Sequence, residues 1–321
     1  MNIEDLLRET LSDMAREESP PPPGRFLQVD ARRSRRRGLT LAAAAAVTVM
    51  AVGSTLVVGG LSSRVAAPKD PTGQGSVETL PDPGKRLREK ITIKEGLRLS
   101  DTLVQLSKAT GKPLREFQQI ARSGKGLGLP SYAKGKLEGY AFPATYEITP
   151  KMGPADILAA MVDRFNLTAD KDDLQGKAKA LGHTSHEIMT IASIVQAESG
   201  TKRDMPKIAR VIYNRLDGDP VRKLEMDSTL MYALNKYGLN ASNKDLRSRS
   251  PYNTYMHPGL PPGPITNPGD DAIQAALNPA KGDWVWFVTT DTKRGITKFA
   301  TTESEFLQLK AEYERNKAAG G

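Results

Sequence analysis

A single carboxylate, Glu198, ends an otherwise apolar run, TIASIVQAE, at residues 190–198. An acid on the apolar side of a helix loses solvation, and the last turn of a helix carries partial negative charge, so both effects raise its pKa. A carboxylic acid that keeps its proton near neutral pH can protonate the leaving oxygen of a glycosidic bond. The alternative is a surface ion pair with Lys202, four residues further on. The sequence therefore predicts either a general acid or a solvated salt bridge.

The direction of Glu198 depends on the helix that carries it. Thr184 and Glu187 have the spacing of a capping box, so the helix is predicted to start at residue 185, and Gly200 is suited to cap its end. At about 100° per residue, Glu198 lies roughly 20° around the axis from Ile191, on the interior side. The apolar stripe on that side consists of Ile188, Ile191, Ala192 and Val195.

Downstream of this helix, the sequence offers polar and aromatic side chains suited to a sugar. An amphipathic helix is predicted over residues 205–216, and the stretch SPYNTYMHPGLPPGPITNPG, residues 250–269, is dense in Pro, Gly, Asn and Tyr. Sugars bind to such surfaces by ring stacking and by hydrogen bonds to hydroxyls, although turn chemistry alone also explains the prolines and glycines. The candidate substrate-binding residues are Asn214, Arg215, Asp227, Tyr252, Asn253, Thr254 and Tyr255.

Composition narrows the chemistry further. The chain has 321 residues, enough for one large or two moderate domains, and a formal net charge of +9 that suits polyanions such as nucleic acid, anionic lipid or cell-wall polymer. It has no cysteine, which excludes disulfides, thiolate metal sites and cysteine nucleophiles. His183 and His186 lack a third ligand at a familiar spacing, so we interpret them as solvent-facing and predict no metal and no cofactor.

The N-terminal segment predicts a membrane topology. Residues 39–61 are an uncharged run of 23 residues, and such a helix spans about 35 Å, enough to cross a bilayer. Five arginines precede this run, so the positive-inside rule places residues 1–38 in the cytoplasm, as a largely disordered tail, and the rest outside. Residues 62–89 are predicted to be a flexible linker. A cleaved signal peptide is the alternative to a single-pass anchor in the cell membrane. Because most of the surplus positive charge lies outside, nucleic acid is not an expected partner.

After the linker, a small subdomain is predicted over residues 90–150. Ile91 to Ile93 alternate like a short strand. Ser100 is a suitable N-cap for a helix that stops at Gly111, and Pro113 suits the first turn of a second helix. Strand, helix, helix is the order of a LysM-like glycan-binding module.

A larger domain is predicted over residues 151–316, which makes the whole an α+β architecture. Its first helix covers residues 154–165, and the segments VWFVTT (285–290) and ITKFAT (296–301) have the pattern of a β-hairpin. The final helix, 303–316, is predicted to pack through its apolar side.

Several motifs, in a fixed order, carry a family resemblance. LEGYAFPATY, IASIVQAES, ARVIYNRL, SPYNTYMHPGLPPGPITNPG, AALNPA and VWFV follow one another between about residues 90 and 310. In this the chain resembles the MltG (YceG-like) family of membrane-anchored endolytic murein transglycosylases. The resemblance implies a LysM-like subdomain before an α/β catalytic domain of the YceG-like type, with Glu198 as the catalytic glutamate.

The resemblance also implies a substrate and a reaction. Glu198 would protonate the oxygen between MurNAc and GlcNAc in a peptidoglycan glycan strand. It would then take the proton of the muramyl C6 hydroxyl as a 1,6-anhydro ring closes. Membrane tethering suggests nascent strands as substrate and peptidoglycan synthases, the penicillin-binding proteins, as partners.

Four positions depart from the usual pattern of this family. Gln196 stands where many members have a glutamate, and Glu225 occupies a glutamine position. Thr297 and Phe306 stand where histidines are common. The changes leave the proposed acid in place and concern contacts with the substrate.

Two other functions fit the same residues. A muramidase-type hydrolase needs a second carboxylate, about 5–5.5 Å from the acid if retaining or 6.5–9.5 Å if inverting, and Asp227 or Glu225 could supply it. A non-catalytic scaffold would instead use the LysM-like module to hold synthases near glycan.

Overall fold

A computed structural model describes residues 89–218, 222–238 and 242–319 of the chain. They form two separate two-stranded antiparallel sheets and ten α-helices. In chain order the elements are β1 (Glu89–Thr92), α1 (Leu99–Thr110), α2 (Leu114–Ser123), β2 (Thr145–Ile148), α3 (Pro154–Lys171), α4 (Leu174–Ala180), α5 (Ser185–Glu198), α6 (Met205–Leu216), α7 (Asp227–Ala233), α8 (Asn243–Leu246), α9 (Asp270–Leu277), β3 (Trp286–Asp291), β4 (Ile296–Ala300) and α10 (Glu303–Ala318).

The predicted tail (1–38), apolar segment (39–61) and linker (62–89) lie outside the described residues, apart from Glu89, with which β1 begins. Among the helices of the described part of the chain, none combines the length and apolar character needed to cross a membrane.

The first part of the fold confirms the predicted order of strand, helix and helix. β1 pairs antiparallel with β2 in a register that places Ile91 opposite Tyr146. The prediction that Ser100 is the N-cap was wrong, because α1 already begins at Leu99. The helix ends as predicted at Gly111, whose φ of 67° lies in the left-handed region that glycine adopts without strain.

Helix α3 joins the two parts of the hydrophobic core. Its N-terminal half packs with Phe117 and Leu106 of the first part, and both side chains are buried. Phe165 and Ala169, further along α3, belong to the larger core built around α5. The helix is longer than predicted and ends at Lys171 rather than at residue 165.

Helix α5 is the centre of that larger core. The capping box is confirmed, since the Glu187 amide donates to Thr184 Oγ1 at 3.2 Å and the Thr184 amide donates to Glu187 Oε2 at 2.8 Å. Every residue from 188 to 195 is buried, so the helix is enclosed on all sides and not only along the predicted stripe. It ends at Glu198 with Ser199 as an extended C-cap, and the prediction that Gly200 is the cap was therefore wrong.

The C-terminal part confirms the predicted hairpin and final helix. β3 and β4 pair antiparallel, with a bulge between Thr289 and Asp291. Helix α10 packs on β3, where the rings of Phe306 and Trp286 stack at 5.7 Å between centroids. The helix ends at Ala318, two residues beyond the predicted end at 316.

A buried asparagine, Asn267, ties the first part of the fold to the second. Its Oδ1 accepts hydrogen bonds from the amides of Gly139 (2.9 Å) and Ala141 (3.2 Å), and its Nδ2 donates to the carbonyl of Leu97 (3.2 Å). The side chain is fully buried, so water cannot replace these bonds.

We expect Asn267→Ala to lower the free energy of unfolding by about 3 kcal/mol, because it leaves the buried amides of Gly139 and Ala141 without their acceptor. For a domain of this size that corresponds to a fall in Tm of roughly 6–12 °C, measurable by calorimetry. Asn278→Ala is the matched control, since Asn278 is exposed and its side chain bonds only to Gln274 of its own helix. Equal Tm values for the two variants would contradict this role for Asn267.

Candidate active site

A cavity of about 220 Å³ opens at the end of α5. Its lining combines three carboxylates, two cationic side chains, a tyrosine and a group of apolar side chains. In chain order the lining residues are Glu198, Arg215, Leu224, Glu225, Met226, Asp227, Tyr255, Trp286, Phe287, Phe306, Leu307 and Lys310.

The Glu198 carboxyl is held in a poorly solvated position at this cavity. Burial, followed by the negative charge of Asp227, raises its pKa to about 7, while hydrogen bonding from Ser228 and the charge of Arg215 act in the opposite direction. The Ser228 amide donates to Glu198 Oε1 at 3.2 Å. The carboxyl is therefore divided between its neutral and charged forms near pH 7.

The alternative of a surface ion pair between Glu198 and Lys202 was wrong. Lys202 forms its ion pair with Asp271 of α9 instead. The structure thus confirms the interior direction that the phase of α5 predicted for Glu198.

Asp227 is the second carboxyl at this cavity. Its Oδ1 accepts a hydrogen bond of 2.6 Å from the Tyr255 hydroxyl. Burial raises the pKa of Asp227, and this hydrogen bond lowers it. The pKa of Tyr255 is raised well above its usual value by burial and then by the charge of Asp227, so the tyrosine remains a donor. The phenol favours a charged Asp227, and the negative charge of Asp227 in turn favours a protonated Glu198.

Arg215 supports the cavity wall from behind. Its Nε donates to the Val285 carbonyl at 2.6 Å and its Nη1 to the Leu224 carbonyl at 2.6 Å. Nη1 also lies 3.3 Å from Glu225 Oε2. The guanidinium therefore joins α6 to the segment before α7 and to the start of β3.

Thr254 fixes the bend that brings Asp227 to the cavity. Its Oγ1 accepts from the Met226 amide at 3.0 Å, and its carbonyl accepts from the Glu225 amide at 3.3 Å. Glu225 has a φ of 52°, in the left-handed region that residues other than glycine rarely adopt. The threonine thus holds a strained turn immediately before α7.

The side-chain amides of Asn253 and Asn214 are also used within the protein. Asn253 Nδ2 donates to the Leu246 carbonyl at 2.9 Å, and Asn214 Nδ2 donates to the Trp284 carbonyl at 2.9 Å. Tyr252 packs its ring on Tyr232, with 4.9 Å between the centroids.

The predicted site residues therefore divide into two groups. Those that line the cavity are Glu198, Arg215, Asp227 and Tyr255. Those that lie outside its lining are Asn214, Tyr252, Asn253 and Thr254. Substrate contact by any of these residues stays a prediction, but the hydrogen bonds of Asn214, Arg215, Asn253 and Thr254 give them a supporting role in the fold.

Sequence reasoning missed the wall formed by the hairpin and α10. Trp286, Phe287 and Lys310 were not predicted as site residues, yet all three line the cavity. Phe306, at a position where the family commonly has histidine, lines it as well. The apolar residues of α10 indicated in the sequence that one side of this helix packs on the protein. Only the tertiary fold shows that this side lines the same cavity as Glu198.

Glu225, another of the unusual positions, also lines this cavity, whereas Gln196 and Thr297 lie away from it. Gln196 Oε1 accepts from the Gly269 amide at 2.9 Å, and Thr297 Oγ1 lies 3.2 Å from Thr289 Oγ1. Neither Gln196 nor Thr297 is part of the cavity lining.

The interpretation of His183 and His186 as solvent-facing was wrong. His186 hydrogen-bonds to the Tyr140 hydroxyl at 3.0 Å and to the Pro262 carbonyl at 2.9 Å. The His183 ring packs on Tyr213, with 5.2 Å between the centroids. Within the described ranges, no group of three residues is arranged to hold a metal ion.

We expect Asp227→Asn to lower the pKa of Glu198, because it removes the negative charge that contributes to the shift, while burial keeps the pKa above its usual value of about 4.5. Carbon-13 NMR titration of the glutamate carboxyls would measure this, with Glu198→Gln to assign the signal. The control is Asp271→Asn, which removes a carboxylate paired with Lys202. An unchanged Glu198 pKa in Asp227→Asn would contradict the coupling.

Comparison with known proteins places this arrangement in a family. The chain is 37% identical over 185 residues to a Bacillus subtilis (strain 168) protein named endolytic murein transglycosylase, an alignment that covers 57% of this chain and 50% of that protein. It is 34% identical over 194 residues to a protein of the same name from Streptococcus pneumoniae (strain D39), covering 58% of this chain and 34% of the relative. The matched region is thus half of one relative and about a third of the other.

A solved structure and a family model agree with these relatives. The crystal structure of a YceG-like protein from Listeria monocytogenes superimposes with a TM-score of 0.61 at 31% identity, covering 68% of this chain and 75% of that one. The model of the YceG-like family matches residues 68–312, most of the chain. Together with the mixed helix and sheet fold, this match shows that the chain belongs to the YceG-like family.

Proposed function

We propose that this protein is an endolytic lytic transglycosylase, which cleaves peptidoglycan glycan strands between MurNAc and GlcNAc and leaves 1,6-anhydro-MurNAc ends. The proposal rests on the position of the Glu198 carboxyl at the edge of a cavity, where burial raises its pKa to about 7. The names of the Bacillus and Streptococcus relatives support the same reaction.

A single carboxyl is sufficient for both proton transfers. Glu198 donates its proton to the glycosidic oxygen as the bond from that oxygen to the muramyl C1 breaks. The resulting carboxylate accepts the proton of the C6 hydroxyl as the C6 oxygen bonds to C1. The sugar therefore gains no water, and Glu198 ends the reaction protonated. A pKa near 7 suits this cycle, because the group must both donate and accept a proton.

Asp227 and Tyr255 complete the charge arrangement. Glycosidic cleavage passes through a transition state with positive charge at the anomeric carbon. An ionised Asp227, held by the Tyr255 hydroxyl at 2.6 Å, would stabilise that charge in the same cavity.

The cavity walls suggest how a sugar is held. Trp286, Phe287 and Phe306 offer ring faces that can pack on the apolar face of a sugar. Pockets for drug-sized ligands are usually about 300–1,000 Å³. At about 220 Å³ this cavity suits roughly one sugar ring, so the remaining strand must lie on neighbouring surfaces.

A muramidase-type hydrolase is the second candidate, because Asp227 faces the same cavity as Glu198. In that reaction the second carboxyl would act on the anomeric carbon or on a water molecule, and the product would carry a free reducing end. The two reactions differ in whether water is consumed, which makes them separable by experiment.

The cellular setting belongs to the same proposal. In this proposal, residues 39–61 form a single-pass anchor in the cell membrane. The N-terminus lies in the cytoplasm and the catalytic part lies outside. We further propose that residues 90–150 are a LysM-like glycan-binding subdomain and that residues 151–316 are the catalytic domain. The proposed partners on nascent strands are peptidoglycan synthases. The sequence patterns and the family resemblance support these points.

Incubation with uncrosslinked glycan strands in water enriched in oxygen-18 tests the reaction. We expect internal cuts that leave anhydro-muramyl ends without the heavy oxygen, detected by mass spectrometry. Glu198→Gln should lower the rate by about 10²–10⁴-fold, the usual contribution of a general acid. The matched control, Asp163→Asn, changes an exposed carboxylate on α3 and should keep full activity. Reducing ends labelled with oxygen-18 would assign a hydrolase instead.

The pH dependence of kcat/KM should report the protonated form of Glu198. The pKa of this acid is raised from 4.5 to about 7, so the active form is present below pH 7 and is lost above it. We expect kcat/KM to fall about tenfold per pH unit above this value. In Asp227→Asn the fall should begin at lower pH. A wild-type limb centred near pH 4.5 would contradict the assignment of Glu198 as the acid.

A further inference from the structure

A second cavity, of about 150 Å³, borders the two segments that hold Glu198. Ala197 and Ser199 line this cavity, whereas Glu198 between them lines the first. In the same way Ser228 lines the second cavity, while its neighbour Asp227 lines the first. The contact between the Ser228 amide and Glu198 therefore lies between the two sets of lining residues.

The other side of this second cavity is formed by the turn between β1 and α1, where Arg98 has an unpaired donor. The Arg98 side chain is buried, with 8% of the residue exposed. Its Nη2 donates to the Lys236 carbonyl at 2.6 Å, but its Nη1 has no hydrogen-bond partner among the described residues. Buried donors in native proteins nearly always have an acceptor, and a ligand in the cavity that Arg98 lines could supply one.

The charges around Arg98 select the kind of acceptor. Glu95 and Asp101 line the same cavity, and Asp101 accepts a 2.6 Å hydrogen bond from the Tyr237 hydroxyl. A third carboxyl, Glu138, lies close enough to interact with Arg98. A free carboxylate or phosphate would be repelled by these acids, whereas a neutral amide carbonyl would not.

Tyr237 supplies a surface on which a sugar can stack. The Arg98 guanidinium lies 4.3 Å from the centre of the Tyr237 ring, and this residue is 53% exposed. An aromatic ring that is fixed by a cation on one side and open on the other suits the apolar face of a sugar.

We propose that this cavity is a second sugar subsite, which binds an N-acetylhexosamine by its acetamido carbonyl on Arg98 Nη1 and by stacking of its ring on Tyr237. With a volume of about 150 Å³ it can take the acetamido group and one edge of the ring. Since Ala197, Ser199 and Ser228 line this cavity while their neighbours Glu198 and Asp227 line the first, the subsite lies next to Glu198 and can take a sugar of the same strand. That last point rests on the proposed function, but binding at the subsite can be measured without cleavage.

The test is a calorimetric titration of the full chain carrying Glu198→Gln with a tetramer of β-1,4-linked N-acetylglucosamine. Adding Arg98→Gln or Tyr237→Ala should raise Kd about tenfold. The first variant loses a hydrogen bond to a charged group and the second loses a stacking contact. Arg203→Gln and Leu167→Ala, which change exposed residues outside both cavities, are the matched controls and should leave Kd unchanged. The corresponding glucose tetramer lacks acetamido groups and should bind at least tenfold more weakly.

With Glu198 intact, Tyr237→Ala should raise KM about tenfold and leave kcat unchanged, since Tyr237 lies outside the cleavage cavity. Because this ring is exposed, the variant remains a valid test even if Arg98→Gln fails to fold. An unchanged Kd in Tyr237→Ala, or equal binding of the two tetramers, would overturn the proposal. If the variants lose binding as expected but the wild type makes no cuts, the subsite stands and the proposed reaction fails. If the wild type cuts the strands but the variants bind the tetramer with an unchanged Kd, the proposed reaction stands and the subsite fails.

Discussion

The hydrogen bond from the Ser228 amide to Glu198 Oε1, 3.2 Å long, is the contact on which the site depends. It joins the end of the most deeply buried helix, α5, to the start of α7. Burial and the charge of Asp227 favour a neutral Glu198, and this bond favours a charged one. The balance keeps the pKa of the carboxyl near neutrality, where a single group can both donate a proton and accept one.

The rest of the fold holds the two ends of this contact in place. Helix α5 cannot shift, because residues 188 to 195 are buried on all sides and close packing resists displacement. The start of α7 is fixed from behind by Arg215 and Thr254, which bond to the backbone of the strained turn at Glu225. Residues that resemble substrate contacts in the sequence thus serve first to place Asp227 and Ser228.

Much of this arrangement could be predicted from the sequence, because it depends on local patterns. The capping box at Thr184, the phase of α5 and the hairpin after residue 285 are set by residues close together in the chain. The direction of Glu198 followed from that phase. The unusual positions of the family pattern also directed attention to Phe306, which lines the cavity.

What the sequence could not predict depends on contacts between distant segments. One of the carbonyls that accept hydrogen bonds from Arg215 belongs to Val285, 70 residues away and immediately before β3, and no local pattern indicates it. The unpaired Nη1 of Arg98 becomes visible only when β1, α1 and the segment after α7 are brought together. Asn253 and Thr254 have the side chains of a sugar site, but their neighbours in space supply partners first. A motif therefore predicts that polar residues lie near a site more reliably than it predicts the hydrogen-bond partner of each residue.

The central claim is that the Glu198 carboxyl retains its proton near neutral pH, and infrared difference spectroscopy tests it directly. The spectrum of the full chain minus that of Glu198→Gln, recorded from pH 4 to 9, isolates the carbonyl stretch of the protonated acid. The structure predicts that this band persists to neutral pH and disappears with a midpoint of about 7. A midpoint near 4.5, the value of a glutamate free in water, would contradict the account.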